Sequence, residues 1–146
     1  MDDETRILIA IDEYLNEKSE YCEKIDKLNE SQKTFIIIEN LEREINNGGF
    51  NQFYYNSSGD FSHETIDALI KIGANKTAEI VTKANSQFPD NKVPKDRTER
   101  QVILEQIEEK ANEIWESCDN DFYKYEDKIG GLLIEFVKAN KTDFEK

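Results

Sequence analysis

The stretch Ile45-Asn46-Asn47-Gly48-Gly49-Phe50-Asn51-Gln52-Phe53-Tyr54-Tyr55-Asn56-Ser57-Ser58-Gly59-Asp60 differs in kind from the sequence around it. Three of the chain's six glycines fall inside it, with four aromatic side chains and a run of amides. A glycine pair frees the backbone from its usual restrictions, so Gly48 and Gly49 are expected to break a helix ending near Ile45 and let Phe50 turn inward. Asn47-Gly48 resembles a hairpin turn, but the apolar residues on either side recur at three and four, not two. Phe50, Phe53 and Tyr54 therefore fit a short helix entered through the glycine break. Their rings would plug a core, each burying about 150–250 Å². Asn46, Asn47, Asn56 and Asp60 are expected to satisfy backbone groups at the two breaks.

Outward from this segment, hydrophobic spacing is helical. Leu8, Ile11 and Leu15, joined by Ile7 and Tyr14, mark one stripe; Phe35, Ile38, Leu41 and Ile45 mark the next. Ile66, Leu69 and Ile70 line a third, with Gly73 closing it as a left-handed cap. Ile80, Val81, Ala84 and Phe88 form a fourth, stopped by Pro89. The longest runs through Ile103, Leu104, Ile107, Ala111, Ile114 and Trp115, and Asp96-Arg97-Thr98-Glu99 ahead of it has a capping-box pattern. Ile129, Leu132, Leu133, Phe136 and Val137 supply the last. Residues 88–96 form a surface loop containing both prolines. The expectation is an all-α fold, one helical domain over residues 1–146, with about six to eight helices and a short aromatic helix after the Gly-Gly break.

The formal charge is −13, from 32 acidic and 19 basic side chains. Residues 1–45 carry 13 acids and 6 bases, residues 46–96 carry 6 and 5, and residues 97–146 carry 13 and 8, so the field comes from the two ends. Such a surface repels phosphates, which argues against direct nucleic-acid or membrane-surface binding and points to basic partners. No apolar run reaches the roughly 18–20 residues of a membrane span. Met1-Asp2-Asp3-Glu4 is acidic where a secretory signal would be basic, so a cytoplasmic protein is expected. Cys22 and Cys118 stand far apart and outside any Cys-x-x-Cys pair, which reads as two buried or half-buried thiols.

Catalytic chemistry finds little footing. His63 is the sole histidine and falls in the first turn of the third helix. Ser57 and Ser58 lie near it in sequence, yet neither has the glycine frame of a nucleophile elbow, and turn or capping roles account for both. Gly48-Gly49 lacks phosphate-loop spacing, and no Lys or Arg lies between Ile45 and Asp60. No enzyme activity, metal or cofactor is expected.

The run from Glu39 through Phe88 resembles a bacterial family, that of DNA mimic protein nineteen. The matching words are Glu44-Ile45-Asn46-Asn47-Gly48-Gly49-Phe50, Gln52-Phe53 and Asn56-Ser57-Ser58-Gly59-Asp60. Ala68-Leu69, Ile72-Gly73-Ala74 and the residues from Ala84 to Pro89 follow them. The resemblance implies an all-helical, non-enzymatic protein whose acidic side chains imitate duplex phosphates and occupy the DNA-binding surface of a transcriptional regulator. By spacing, the carboxylates suited to that role are Glu105, Glu108, Glu109, Glu113, Glu116, Asp119 and Asp121. The motif residues Asn46, Asn47, Gly48, Gly49, Phe50, Gln52, Phe53, Asn56, Gly59 and Asp60 mark the scaffold. The expected partner is a basic or DNA-binding protein, with the chain itself a monomer or homodimer. Two alternatives stay open: an immunity protein or antitoxin neutralising a basic toxin, and a small-molecule-binding helical domain lined by Phe50, Phe53, Tyr54 and Tyr55.

Overall fold

Those apolar stripes become six α-helices in a computed structural model that describes residues 1–145. They are α1 (Asp3–Lys18), α2 (Glu30–Tyr55), α3 (Ser62–Lys71), α4 (Asn75–Asn85), α5 (Arg97–Tyr123) and α6 (Ile129–Ala139). Short 3₁₀ turns occupy Ile25–Lys27, Ser57–Phe61, Pro89–Asn91 and Lys141–Phe144, and no strand occurs among the described residues. None of the described helices is long and apolar enough to cross a membrane.

Local chemistry sets the starts. Asp2 accepts the Thr5 N–H at 2.7 Å and Asp96 accepts the Glu99 N–H at 2.8 Å, each satisfying an orphan donor of a first turn. A reciprocal capping box forms at α2, where Asn29 accepts from the Gln32 N–H (2.8 Å) and Gln32 from the Asn29 N–H (3.0 Å). Gly73 closes α3 in the left-handed region at φ 87°. At the end of α1 the non-glycine residues Glu20, Tyr21 and Cys22 are all left-handed, with φ of 52°, 58° and 70°. Ser19 holds that turn: its hydroxyl accepts the Cys22 N–H at 3.0 Å and its carbonyl the Lys24 N–H at 2.8 Å.

Helix α2 is the axis. It packs against α1, α3, α5 and the Ser57–Phe61 turn, while α3 pairs with α4, α4 with α5, and α1 with α6. One core results, containing Leu15, Phe35, Ile36, Ile38, Leu41, Ile45, Phe50, Phe53, Leu69, Val81, Trp115 and Leu133. Its polar atoms are partnered. The Trp115 indole N–H donates to Ala84 O at 3.0 Å; Tyr54 Oη–H donates to Asn85 Oδ1 at 2.6 Å, and Asn85 Nδ2 to Ser62 O at 3.1 Å.

The structure departs from the periodicity in two places. Ile7 is 46% and Ile70 54% exposed, because α1 packs mainly on α2 and α6, and α3 mainly on α2, α4 and the adjoining turn. Each helix therefore keeps a bare flank beside its buried stripe. The first limb of α2 does not stop near Ile45; it runs to Gly48, and only Gly49 leaves helical geometry. The 88–96 segment is the expected surface loop, anchored by the buried Val93 and by the Pro94 and Lys95 carbonyls, which accept from Arg100 at 2.9 and 3.1 Å.

Candidate interaction surface

The kink in α2 organises the side of the molecule that faces α5. Gly49 adopts φ 75°, ψ −172°, a region essentially reserved for glycine. A helix restarting at Phe50 exposes new orphan N–H groups, and the one on Phe50 is bound by Asp119 Oδ1 of α5 at 2.8 Å. The cap that would ordinarily come from the preceding residue is thus supplied by another helix. A Cβ on Gly49 would overlap that carboxylate. Burial raises the Asp119 carboxyl above its usual range, with the Phe50 N–H opposing. Two tyrosines near the end of α5 tie down the limb before the kink. Tyr123 Oη–H donates to Ile45 O at 2.7 Å, and the Tyr125 hydroxyl donates to Glu42 Oε2 at 2.9 Å while accepting from Asn46 Nδ2 at 3.0 Å.

Beyond the kink the rings close on one another. Tyr54 lies 4.9 Å from Phe88 and 5.3 Å from Trp115 between ring centroids, with Phe53 edge-on to it and Phe50 tilted against it. Phe50, Phe53 and Tyr54 are all buried, so the motif packs as core, with no aromatic pocket among these three; Tyr55 alone faces outward.

Sequence reasoning missed the centre of the second half of the motif. Arg100 is 0% exposed, and its guanidinium donates to Tyr54 O (2.6 Å), Asn56 O (2.8 Å), Asp60 Oδ1 (2.8 Å) and the Pro94 and Lys95 carbonyls. The Asn56–Asp60 turn is a cradle for this cation. A Cβ on Gly59 would sit 2.7 Å from Arg100 Nε and 2.8 Å from Phe53 O. Asp60 was expected to serve backbone groups; instead it bridges Arg100 and Arg97 (2.9 Å). Asn46 and Asn56 likewise bond side chains: Asn46 reaches Tyr125, and Asn56 meets Gln52 on Glu44 Oε2, at 3.0 and 2.9 Å. Asn47 is exposed. The missed signal was register. Arg100 precedes Leu104 by one helical turn, so a cation occupies the apolar stripe of α5 and must find partners inside.

The seven spaced carboxylates of α5 do not share one face. Glu105, Glu109, Glu113 and Glu116 are exposed, and none has a basic partner within 4.0 Å among the described residues. At 3.6 residues per turn they form one outward ridge. Glu108 and Asp119 turn toward the aromatic limb of α2, where Asn51 Nδ2 reaches Glu108 Oε2 at 3.5 Å and Asp119 caps Phe50. Asp121 faces the other way, into a groove it shares with Lys76, Lys83 and Lys124, and pairs with Lys124 at 3.2 Å.

A second acidic group lies between α1 and α2. Burial first, then the neighbouring Glu42 carboxylate, pushes Glu39 up to about 8; Asp12 beside them is paired with Arg43 at 2.6 Å. His63 is exposed at the start of α3, where Nε2 accepts the Val93 N–H at 3.0 Å. Ser58 Oγ–H donates to Phe53 O at 3.0 Å. No hydrogen bond joins histidine to serine among the described residues. Both thiols are buried and unbridged, and burial pushes Cys118 up to about 11.

Comparison with curated proteins and with solved structures gives no match. Among protein families, the profile described as DMP19-like protein matches residues 26–140. That span takes in the kinked α2, the Arg100 cradle, the whole of α5 with its ridge, and α6, and so the chain belongs to the DMP19-like protein family.

Proposed function

We propose that this protein is a non-enzymatic, acidic binding protein that occupies the DNA-binding surface of a regulator by presenting the α5 ridge in place of a phosphate strand. The observation that carries the reading is that Glu105, Glu109, Glu113 and Glu116 stand exposed in a row without cationic partners among the described residues. Isolated carboxylates on a helix are ordinarily relieved by lysines three or four residues away; here the outward row is left bare. Successive members four residues apart are separated by about 6 Å along the helix axis, so the row offers a line of negative charge to a basic groove. Family membership supports the same reading, and the net charge of −13 extends the field around the ridge.

Release of the counterions gathered beside the ridge and in the basic groove then favours binding, so affinity falls steeply with salt. The test is affinity capture on the tagged protein at low salt, identification of the bound protein, and competition by duplex DNA. A DNA-binding protein should be recovered, released between about 50 and 200 mM salt, and displaced by duplex DNA. Substituting Glu109→Gln with Glu113→Gln should weaken the complex at least tenfold. A captured partner that binds DNA and this protein together, or one insensitive to salt, overturns the reading; a basic toxin in its place selects neutralisation instead.

A further inference from the structure

Beside the ridge, the end of α2 and the first half of α5 enclose a shallow groove of about 430 Å³. Its floor and rim carry two of the few large apolar side chains left in solvent, Tyr55 at 55% and Val102 at 53% exposed, with Glu105 and Glu108 along the edge. Resting on the ridge reading above, we propose that this groove seats one arginine side chain of the partner's basic surface, and that Tyr55 makes the site prefer arginine to lysine.

The groove's chemistry matches the three parts of that side chain. A guanidinium is planar and weakly hydrated, and it stacks on an aromatic face; the Tyr55 ring is exposed, and no cation of the described residues lies over it. The three-carbon stem needs apolar surface, which the exposed Val102 provides. Glu105 and Glu108 then meet the charge. Tyr55 is also held in place for the role, since Gln101 Nε2 donates to its carbonyl at 2.8 Å and Arg100 locks the residue before it. A second copy of this chain is a poor occupant, because each copy carries the same large negative charge. A phosphate strand has no counterpart to an aromatic wall beside the charge line. The groove therefore gives the protein a means of choosing among DNA-binding partners that bare acidity lacks.

The test uses the full chain and two fluorescent synthetic peptides of equal length and charge, one built on arginine and alanine, the other on lysine and alanine, at low salt. Wild type should bind the arginine peptide about three- to fivefold more tightly, and amide shifts of isotope-labelled protein should move at Tyr55 and Val102. Tyr55→Leu, at an exposed position, should abolish the preference while leaving lysine-peptide affinity unchanged; Glu109→Gln with Glu113→Gln should weaken both peptides alike. Equal affinity in wild type, or a preference that survives Tyr55→Leu, overturns the arginine seat. If in that case the double glutamine variant still weakens both peptides, the ridge reading stands alone. If neither peptide binds, the ridge reading falls and takes this inference with it.

Discussion

Two sets of acidic side chains in one molecule behave in opposite ways. Asp60 and Asp119 point inward: one bridges two arginines and the other caps a broken helix from across the bundle. Glu105, Glu109, Glu113 and Glu116 sit on the same helix as Asp119 and pair with no cation among the described residues. The residue types are interchangeable on a composition table, yet one set holds the fold together and the other is spare charge. What separates them is whether a buried donor would be orphaned by their loss. Scaffold carboxylates should therefore be costly to remove and indifferent to salt, and ridge carboxylates cheap to remove but decisive for binding.

The largest effect should come from Arg100. Arg100→Ala removes the donor to four carbonyls and leaves Asp60 with only Arg97. Loss of one partner from such a buried cluster costs about 3–5 kcal/mol, read as the midpoint shift in urea unfolding. A variant within 1 kcal/mol of wild type would put the cradle on the same footing as the ridge.

Next is the kink. Gly49→Ala forces a side chain into a region where φ is 75° and into the Asp119 carboxylate, for a loss of about 2–4 kcal/mol. Asp119→Ala alone should cost about 1 kcal/mol, the value of a helix cap. If the two losses are additive in the double variant, the carboxylate and the glycine are not parts of one device.

The pH dependence sharpens the comparison further. Glu39 keeps its proton in the folded state up to about 8 and loses it near 4.3 when unfolded. Between those values the native state binds the extra proton, so stability is full below the unfolded value and falls as pH rises through the folded one. Glu39→Gln should remove most of that slope, a gain on the order of 1–2 kcal/mol at pH 9 and little at pH 5. Thermal unfolding across that range measures it; an unchanged slope in the variant would assign it to other groups.

The smallest stability effect belongs to the ridge. Glu109→Gln or Glu113→Gln should stay within about 0.5 kcal/mol of wild type, and the change should be stabilising at low salt because like charges four residues apart are relieved. A loss beyond 1 kcal/mol would show that these carboxylates are structural after all.

Amphipathic spacing located all six helices, because burial of a stripe at 3.6-residue intervals is a local demand the chain must meet wherever its partner lies. It also located the break at Gly48-Gly49 and the inward turn of Phe50 and Phe53, since a glycine pair and a cluster of rings have few alternatives. Periodicity could not say that Ile7 and Ile70 would be left bare, because coverage depends on which neighbours arrive. Nor did it see what Arg100 was for: a cation in an apolar stripe announces a partner without naming it, and besides the nearby Pro94 and Lys95 carbonyls its partners Tyr54, Asn56 and Asp60 lie 40 to 46 residues away in sequence. The same limit applied to α5, where spacing grouped seven carboxylates that the structure distributes among three directions.

The sequence by itself determined the helical class, the acidic balance, the break in the second helix and the family resemblance, all of which rest on composition or on residues close together in the chain. Only tertiary structure decided which acids are spent on the scaffold and which stay free, that Asp119 caps a helix it does not belong to, and that Tyr55 and Val102 meet beside the ridge. The physical reason is that a charge's role depends on its distance from other charges and from water, and both are set by contacts between segments far apart in the chain.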